Sequence, residues 1–149
     1  METKQFGGVI VYAMLAGIVL MVIMMLTIHP EGQPMLLFGF VIPLLALATL
    51  LFYDLTVIVT REKVAFRFGI GLISRSYKIS DIETCAPVIN QWWHGWGIHF
   101  AGNTTIYNVS GKHAVELTFK GRRKKVRIGT SEPEKLSRYI NEMIGKRAL

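Results

Sequence analysis

Two long stretches without a charge constrain this chain more than anything else in it. Gln5 to Ile28 holds no Asp, Glu, Lys or Arg, and within it Phe6 to Ile28 supplies 23 almost wholly apolar positions, roughly 34 Å as an α-helix. After the polar break His29-Pro30-Glu31-Gly32-Gln33 comes Pro34 to Tyr53, another 20 residues without a charge, interrupted by Pro43. A bilayer's hydrocarbon core is about 30 Å thick, so either segment is long enough to cross it. A signal peptide's apolar core runs only about 7–15 residues, which is too short for the first segment. Residues 1–53 are therefore expected to form a two-helix transmembrane anchor. Pro43 is tolerated in such a helix, and Ala13-x-x-x-Gly17 would let the two helices approach closely.

Lysine and arginine placement sets the expected orientation, because positively charged flanks stay on the cytoplasmic side. The loop between the segments has neither residue, whereas Lys4 precedes the first and Arg61, Lys63, Arg67, Arg75 and Lys78 follow the second. Both ends are expected in the cytoplasm. The stretch from Asp54 to Leu149 has a different character, with 16 of the 17 basic residues, 8 of the 10 acidic ones and a net charge of +8. Its 96 residues can bury a small core without a covalent staple. Cys85, the single cysteine, permits no internal disulfide. Residues 54–149 are expected to be a separate water-facing domain.

Alternation with a period of two marks half-buried strands at Val64/Phe66/Phe68 and Val115/Leu117/Phe119. Further strands are predicted over Leu55–Thr60, Leu72–Lys78, Thr84–Ile89, Gly97–Ala101, Thr104–Val109 and Lys124–Ile128. Arg61-Glu62, Gly69-Ile70-Gly71, Gly102-Asn103, Gly111 and Lys120-Gly121 read as turns. The chain then changes period. Ser131 with Glu134 resembles a capping box, Pro133 suits a first helical turn, and Leu136, Ile140, Met143 and Ile144 share one face. The expected fold class is an α+β membrane protein: a helical hairpin, then seven or eight short antiparallel strands in a curled sheet, then one capping amphipathic helix.

The motif elements Gly95-Trp96-Gly97-Ile98, Tyr107-Asn108-Val109-Ser110-Gly111, Ala114-Val115-Glu116 and Ile128-Gly129-Thr130 with Pro133-Glu134 and Leu136 resemble bacterial membrane proteins that carry a pleckstrin-homology-like domain. The match spans His94 to Leu136, and the layout of two spans followed by a domain extends it over the chain. The resemblance implies a PH-like β-barrel or sandwich capped by a C-terminal helix, and a place in the bacterial cytoplasmic membrane. His99 stands where the family often has arginine, so no role for a positive charge is carried over there. The resemblance implies little chemistry, since fold does not fix function.

Two stretches are candidates for function. In "QWWHGWGIHF", Trp92, Trp93 and His94 precede a strand; the tryptophans suit either a core or sheet edge, or a membrane interface where amphipathic rings are favoured. A metal site from His94, His99 and His113 is disfavoured, because no Cys-x-x-Cys, His-Glu-x-x-His or acidic cluster accompanies them. In "KGRRKKVRIG", Lys120, Arg122, Arg123, Lys124, Lys125 and Arg127 form either a solvated turn or a contact for anionic lipid or a protein partner. Nucleic acid is not expected, since no recognised nucleic-acid module accompanies the charge. Asn103-Thr104-Thr105 and Asn108-Val109-Ser110 match the glycosylation acceptor but lie on the predicted cytoplasmic side, and Gly69-Ile70-Gly71 lacks the third glycine of a dinucleotide loop.

No nucleophile stands in a recognisable catalytic context. The sequence thus predicts a non-enzymatic binding or scaffolding module without cofactor or metal. The binding candidates are Trp92, Trp93, His94, Arg122, Arg123, Lys124, Lys125 and Arg127. An accessory subunit of a membrane transport or envelope-maintenance complex is the alternative.

Overall fold

A computed structural model describes residues 1–28, 32–91 and 97–147. The two charge-free runs form α1 (Gly8–Ile28) and α2 (Gln33–Phe52), each long and apolar enough to cross a membrane and with no buried window. They pack on one another. Thr49 donates through its hydroxyl to Met14 Sδ at 3.4 Å and to its own helix at the Leu45 carbonyl at 2.8 Å. Gly17 faces Leu45 across this contact, but a Cβ there would lie 3.8 Å from Leu45 Cδ1. That is ordinary contact, so glycine is not required for the approach.

The remaining elements are β1 (Glu2–Phe6), β2 (Asp54–Val59), β3 (Lys63–Phe68), β4 (Ile73–Lys78), a 3-10 turn (Ile79–Asp81), β5 (Ile82–Ile89), β6 (Gly97–Ala101), β7 (Thr104–Asn108), β8 (His113–Phe119), β9 (Arg122–Gly129) and α3 (Pro133–Arg147). They make a four-stranded sheet in the order β1-β2-β3-β4 and a five-stranded sheet in the order β5-β8-β9-β7-β6. No strand among the described residues belongs to both. The arrangement is two sheets and a helix, not a closed barrel.

Sequence reasoning missed β1. Glu2–Phe6 lies on the other side of the helical hairpin from the rest of its sheet, yet pairs antiparallel with β2, with Phe6 opposite Asp54 and Glu2 opposite Ile58. Its inward residues are Thr3 and Gln5, both buried, so it carries no apolar alternation. The anchor expected over 1–53 therefore contributes a strand to the sheet expected to begin at 54. Two close approaches fix this junction. Gly7 donates its N–H to the Tyr53 carbonyl at 2.8 Å, and a Cβ on Gly7 would sit 2.7 Å from the Phe52 carbonyl oxygen. Gly69, at φ 43°, abuts the Leu50 and Leu51 carbonyls at the end of α2, and a Cβ there would lie 2.7 Å from the Leu51 oxygen.

The five-stranded sheet departs from an all-antiparallel pattern. β8 and β9 form a hairpin that folds back so that β9, not β8, lies beside β7; β7 and β9 run the same way and pair in parallel. One core joins both sheets and α3, with Val57, Phe66, Leu117, Ile128, Leu136 and Ile140 among its buried members. The Phe66 and Tyr107 rings meet across it at 4.6 Å. The α3 face predicted from Leu136, Ile140 and Met143 is the buried one.

The cap of α3 differs from expectation. The helix begins at Pro133, so Glu132 and not Ser131 stands at the capping position, and its carbonyl accepts the Leu136 N–H at 3.0 Å; the Thr130 hydroxyl accepts the Glu132 N–H at 3.2 Å in a turn ahead of the helix. Asn141 does further work on α3. Its side chain accepts the Cys85 N–H at 3.0 Å and donates to the Cys85 carbonyl at 2.7 Å, which satisfies an edge of β5.

Candidate functional site

The basic hairpin is β8–β9, turned at Lys120-Gly121. Between the pairs Phe119–Arg122 and Leu117–Val126, β8 contributes one residue and β9 contributes three, a bulge on β9. A bulge breaks strict alternation, and Arg122, Arg123, Lys124 and Lys125 are all exposed before alternation resumes at buried Val126 and Ile128.

The six cations expected as one cluster divide into two sets. Lys125 and Arg127 turn onto the face of the sheet, where Glu116 accepts from Lys125 Nζ at 2.7 Å and Arg127 Nε at 2.8 Å. Arg127 Nη1 also donates to Asn90 Oδ1 at 3.4 Å. Burial pushes the Glu116 carboxyl up, but the hydrogen bonds from Lys125 and Arg127 and their charges outweigh it and hold the group below its ordinary value. These two cations are occupied by an internal carboxylate. Arg122, Arg123 and Lys124 remain on the turn side, and Lys120 beside them is exposed.

The register locates that turn. At one end of the four-stranded sheet, Phe6, Asp54 and Gly69 meet α1 and α2. At the other end, Lys63 pairs with Lys78, and the 3-10 turn follows. Lys120 donates its N–H to the Asp81 carbonyl at 3.0 Å. The basic turn is therefore at the end of the domain away from the helices, about 17 Å off by the five steps along β3 at roughly 3.3 Å each.

More charge gathers at this far end. The β2–β3 turn brings Arg61 and Glu62, with the Thr60 hydroxyl accepting the Glu62 and Lys63 N–H groups at 3.3 and 3.2 Å. Against it lies Lys146 of α3, and a cleft of about 490 Å³ is lined by Arg61, Glu62, Met143 and Lys146. Lys146 is paired with Glu142 at 2.5 Å. A smaller hollow of about 140 Å³ has Arg122 and Lys124 at its rim over Tyr77, Phe119 and Val126. Burial, with Tyr107 alongside, pushes the Tyr77 phenol up to about 12, so it stays neutral there. Exposed cations over an aromatic floor can hold an anionic group.

No protein family, curated protein or solved structure matches this chain.

Trp92, Trp93 and His94 lie outside the described residues, as does Trp96. His99 is on β6 and His113 opens β8, on different strands. Among the described residues no three His, Cys, Asp or Glu gather as metal ligands. Cys85 is buried on β5, and burial pushes its thiol up to about 12. A neutral, enclosed thiol is a poor nucleophile.

One surface was missed altogether. The turn read simply as Gly69-Ile70-Gly71 leaves Ile70 and Leu72 exposed beside α2. The available signal was two large apolar residues alternating with glycines in a turn, where polar residues are usual.

Proposed function

We propose that the chain is a membrane-anchored, non-enzymatic binding module that holds an acidic protein face through the basic end of its domain. In this reading α1 and α2 span the bacterial cytoplasmic membrane with both flanks on the cytoplasmic side, and the domain is PH-like. The lysine and arginine asymmetry supports the orientation. The motif resemblance, with two sheets followed by a helix, supports the PH-like reading.

The observation that carries the partner reading is the position of Arg122, Arg123 and Lys124 at the end opposite the helices. The surface potential of an anionic leaflet decays over a Debye length of about 8 Å at physiological salt. Over about 17 Å it falls to roughly a tenth. That weighs against the host bilayer as the hairpin's ligand and in favour of a macromolecule approaching from water. Such a contact would gain chiefly in association rate and specificity.

The test is affinity purification of the full chain from native membranes in mild detergent, parent beside Arg122→Glu/Arg123→Glu/Lys124→Glu. The expected result is an acidic protein that is retained by the parent, released by high salt and absent from the variant. A parent with no such partner, or a variant that keeps it, overturns the reading.

A further inference from the structure

The β3–β4 turn is the part of the domain seated on α2. Ile70 donates its N–H to the Leu50 carbonyl at 3.3 Å, and Gly69 donates to Asp54 at 2.9 Å. Leu50 is two residues short of the end of α2, about 3 Å along the helix axis. The turn is thus level with the last turn of that helix. There Ile70 is 52% and Leu72 72% exposed, and Leu50, which the turn touches, is also exposed. An apolar turn continuous with an apolar helix face needs a medium other than water.

Directly behind this tip the outer face of the four-stranded sheet forms a shallow depression of about 460 Å³. Arg67 and Lys63 line it with Ser74 and Ser76 over a floor at Ala65, and its lining holds no carboxylate; Arg75, which pairs with Phe66, turns its side chain to the other face beside Tyr77. Arg67 pairs across the ladder with Ser74 and leans towards the turn: a Cβ on Gly71 would be 3.9 Å from Arg67 Cδ and Nη1. Among the described residues no carboxylate pairs with Arg67. Asp54, which is near, is engaged by Lys4 at 2.7 Å.

We propose that the β3–β4 hairpin is a lipid-binding foot, with Ile70 and Leu72 in the acyl boundary and Arg67, Ser74 and Ser76 holding the phosphate of an anionic phospholipid of the same bilayer. The inference rests on α1 and α2 spanning that bilayer. The order of the groups matches the ligand: hydrocarbon at the tip, then guanidinium and hydroxyl donors at the depth where a phosphodiester begins. Guanidinium groups and hydroxyls both donate to phosphate oxygens, and the fork of an arginine can do so twice. Distance ranks the cations. Arg67 is three residues from Ile70 and within a Debye length of the helix end, whereas Lys63 is roughly 13 Å further along the strand.

The test uses the full chain reconstituted in mixed phosphatidylglycerol–phosphatidylcholine vesicles, with spin labels placed singly at Leu72→Cys, Leu44→Cys in α2 and Lys120→Cys at the far turn. Accessibility to oxygen against a water-soluble nickel complex reports depth. Labels at Leu44 and Leu72 should favour oxygen, and the label at Lys120 should favour nickel. Leu44 in lipid with Leu72 in water overturns the foot while leaving the spanning reading intact; Leu44 in water overturns the spanning reading and the foot with it.

A second measurement reads headgroup preference, as phosphatidylglycerol enrichment over phosphatidylcholine around the protein. Arg67→Gln should lower it by about fivefold, from about 1 kcal/mol per basic residue near an anionic surface, with Lys63→Gln close to parent. Unchanged enrichment in Arg67→Gln overturns the assignment. So does loss of enrichment on adding millimolar inorganic phosphate at constant ionic strength, which would mark a site for a free anion.

Discussion

Substituting Gly69 by alanine tests whether the domain is seated on α2 or merely tethered to it. Two separable penalties are expected. Holding a side chain at φ 43° costs about 1–2 kcal/mol, since the left-handed region crowds Cβ against the following carbonyl. The new methyl would also overlap the Leu50 oxygen and lie 2.7 Å from the Leu51 oxygen. The turn must then lift, which breaks the hydrogen bonds from Gly69 to Asp54 and from Ile70 to Leu50, at about 1 kcal/mol each. The sum is about 3–4 kcal/mol.

Gly121 supplies the comparison, because it has φ 65° and nothing within 4 Å of its built Cβ. Gly121→Ala therefore meets the dihedral cost alone, about 1–2 kcal/mol. At roughly 2–4 °C per kcal/mol for a chain of this size, thermal unfolding followed by circular dichroism in detergent should place Gly69→Ala about 4–8 °C below Gly121→Ala. Equal melting temperatures would refute the seating, and with it the physical basis for the lipid foot.

Other outcomes follow from the same contacts. Glu116→Gln should destabilise the parent by about 1–2 kcal/mol at neutral pH through weakened bonds to Lys125 and Arg127. Because the folded carboxyl titrates below its ordinary value, that stability is fully present above the unfolded value of 4.5 and disappears as pH falls through the lower folded value. Denaturant titrations of parent and variant should converge there, and a constant gap across pH would contradict the network. Phe66→Ala should cost about 3–5 kcal/mol as a fully buried aromatic at the meeting of the two sheets, and an unchanged denaturation midpoint would remove it from the core. Cys85 should resist a thiol reagent at pH 8 until the protein is unfolded, with rapid labelling of the native chain as the contrary result. For orientation, Gly32→Cys should react with an impermeant reagent in intact cells and Lys120→Cys only after permeabilisation; the reverse pattern would invert the topology.

The elements legible in the sequence are those whose burial is written in apolar residues. The helical runs declare themselves by lack of charge, β3 and β8 by Val64/Phe66/Phe68 and Val115/Leu117/Phe119, and α3 by Leu136, Ile140 and Met143. β1 was invisible because its buried side chains are Thr3 and Gln5, satisfied in part by tertiary contact: Gln5 Nε2 donates to the Ser110 carbonyl at 2.7 Å, 105 residues away. The parallel β7–β9 pair is likewise a matter of strand order, which local periodicity does not encode. At the candidate site the cluster of cations was plain, but its division was not. Glu116 is on the neighbouring strand, and only the register of β8 with β9 decides that Lys125 and Arg127 meet it while Arg122 to Lys124 do not. The position of the turn relative to the helices depends on the backbone contact of Lys120 with Asp81 and on the pairing of Phe119 with Ile82.

The pairing of Phe6 with Asp54 has a mechanical consequence. Because β1 runs directly into α1 and α2 runs directly into β2, the domain-side ends of the two helices are gripped by adjacent antiparallel strands, with paired Cα atoms about 5 Å apart. A head on one flexible linker can swivel and absorb any movement of its anchor. Two ladder-bonded attachment points cannot: they behave as a clevis, so a tilt or shear between α1 and α2 is delivered as a twist to β1–β2 and onward through β3 to the far end of the sheet. For the same reason the domain cannot be freed by cutting ahead of Asp54, since the cut strips β1 from the sheet and leaves β2, a strand with neighbours on both sides, as an unpaired edge.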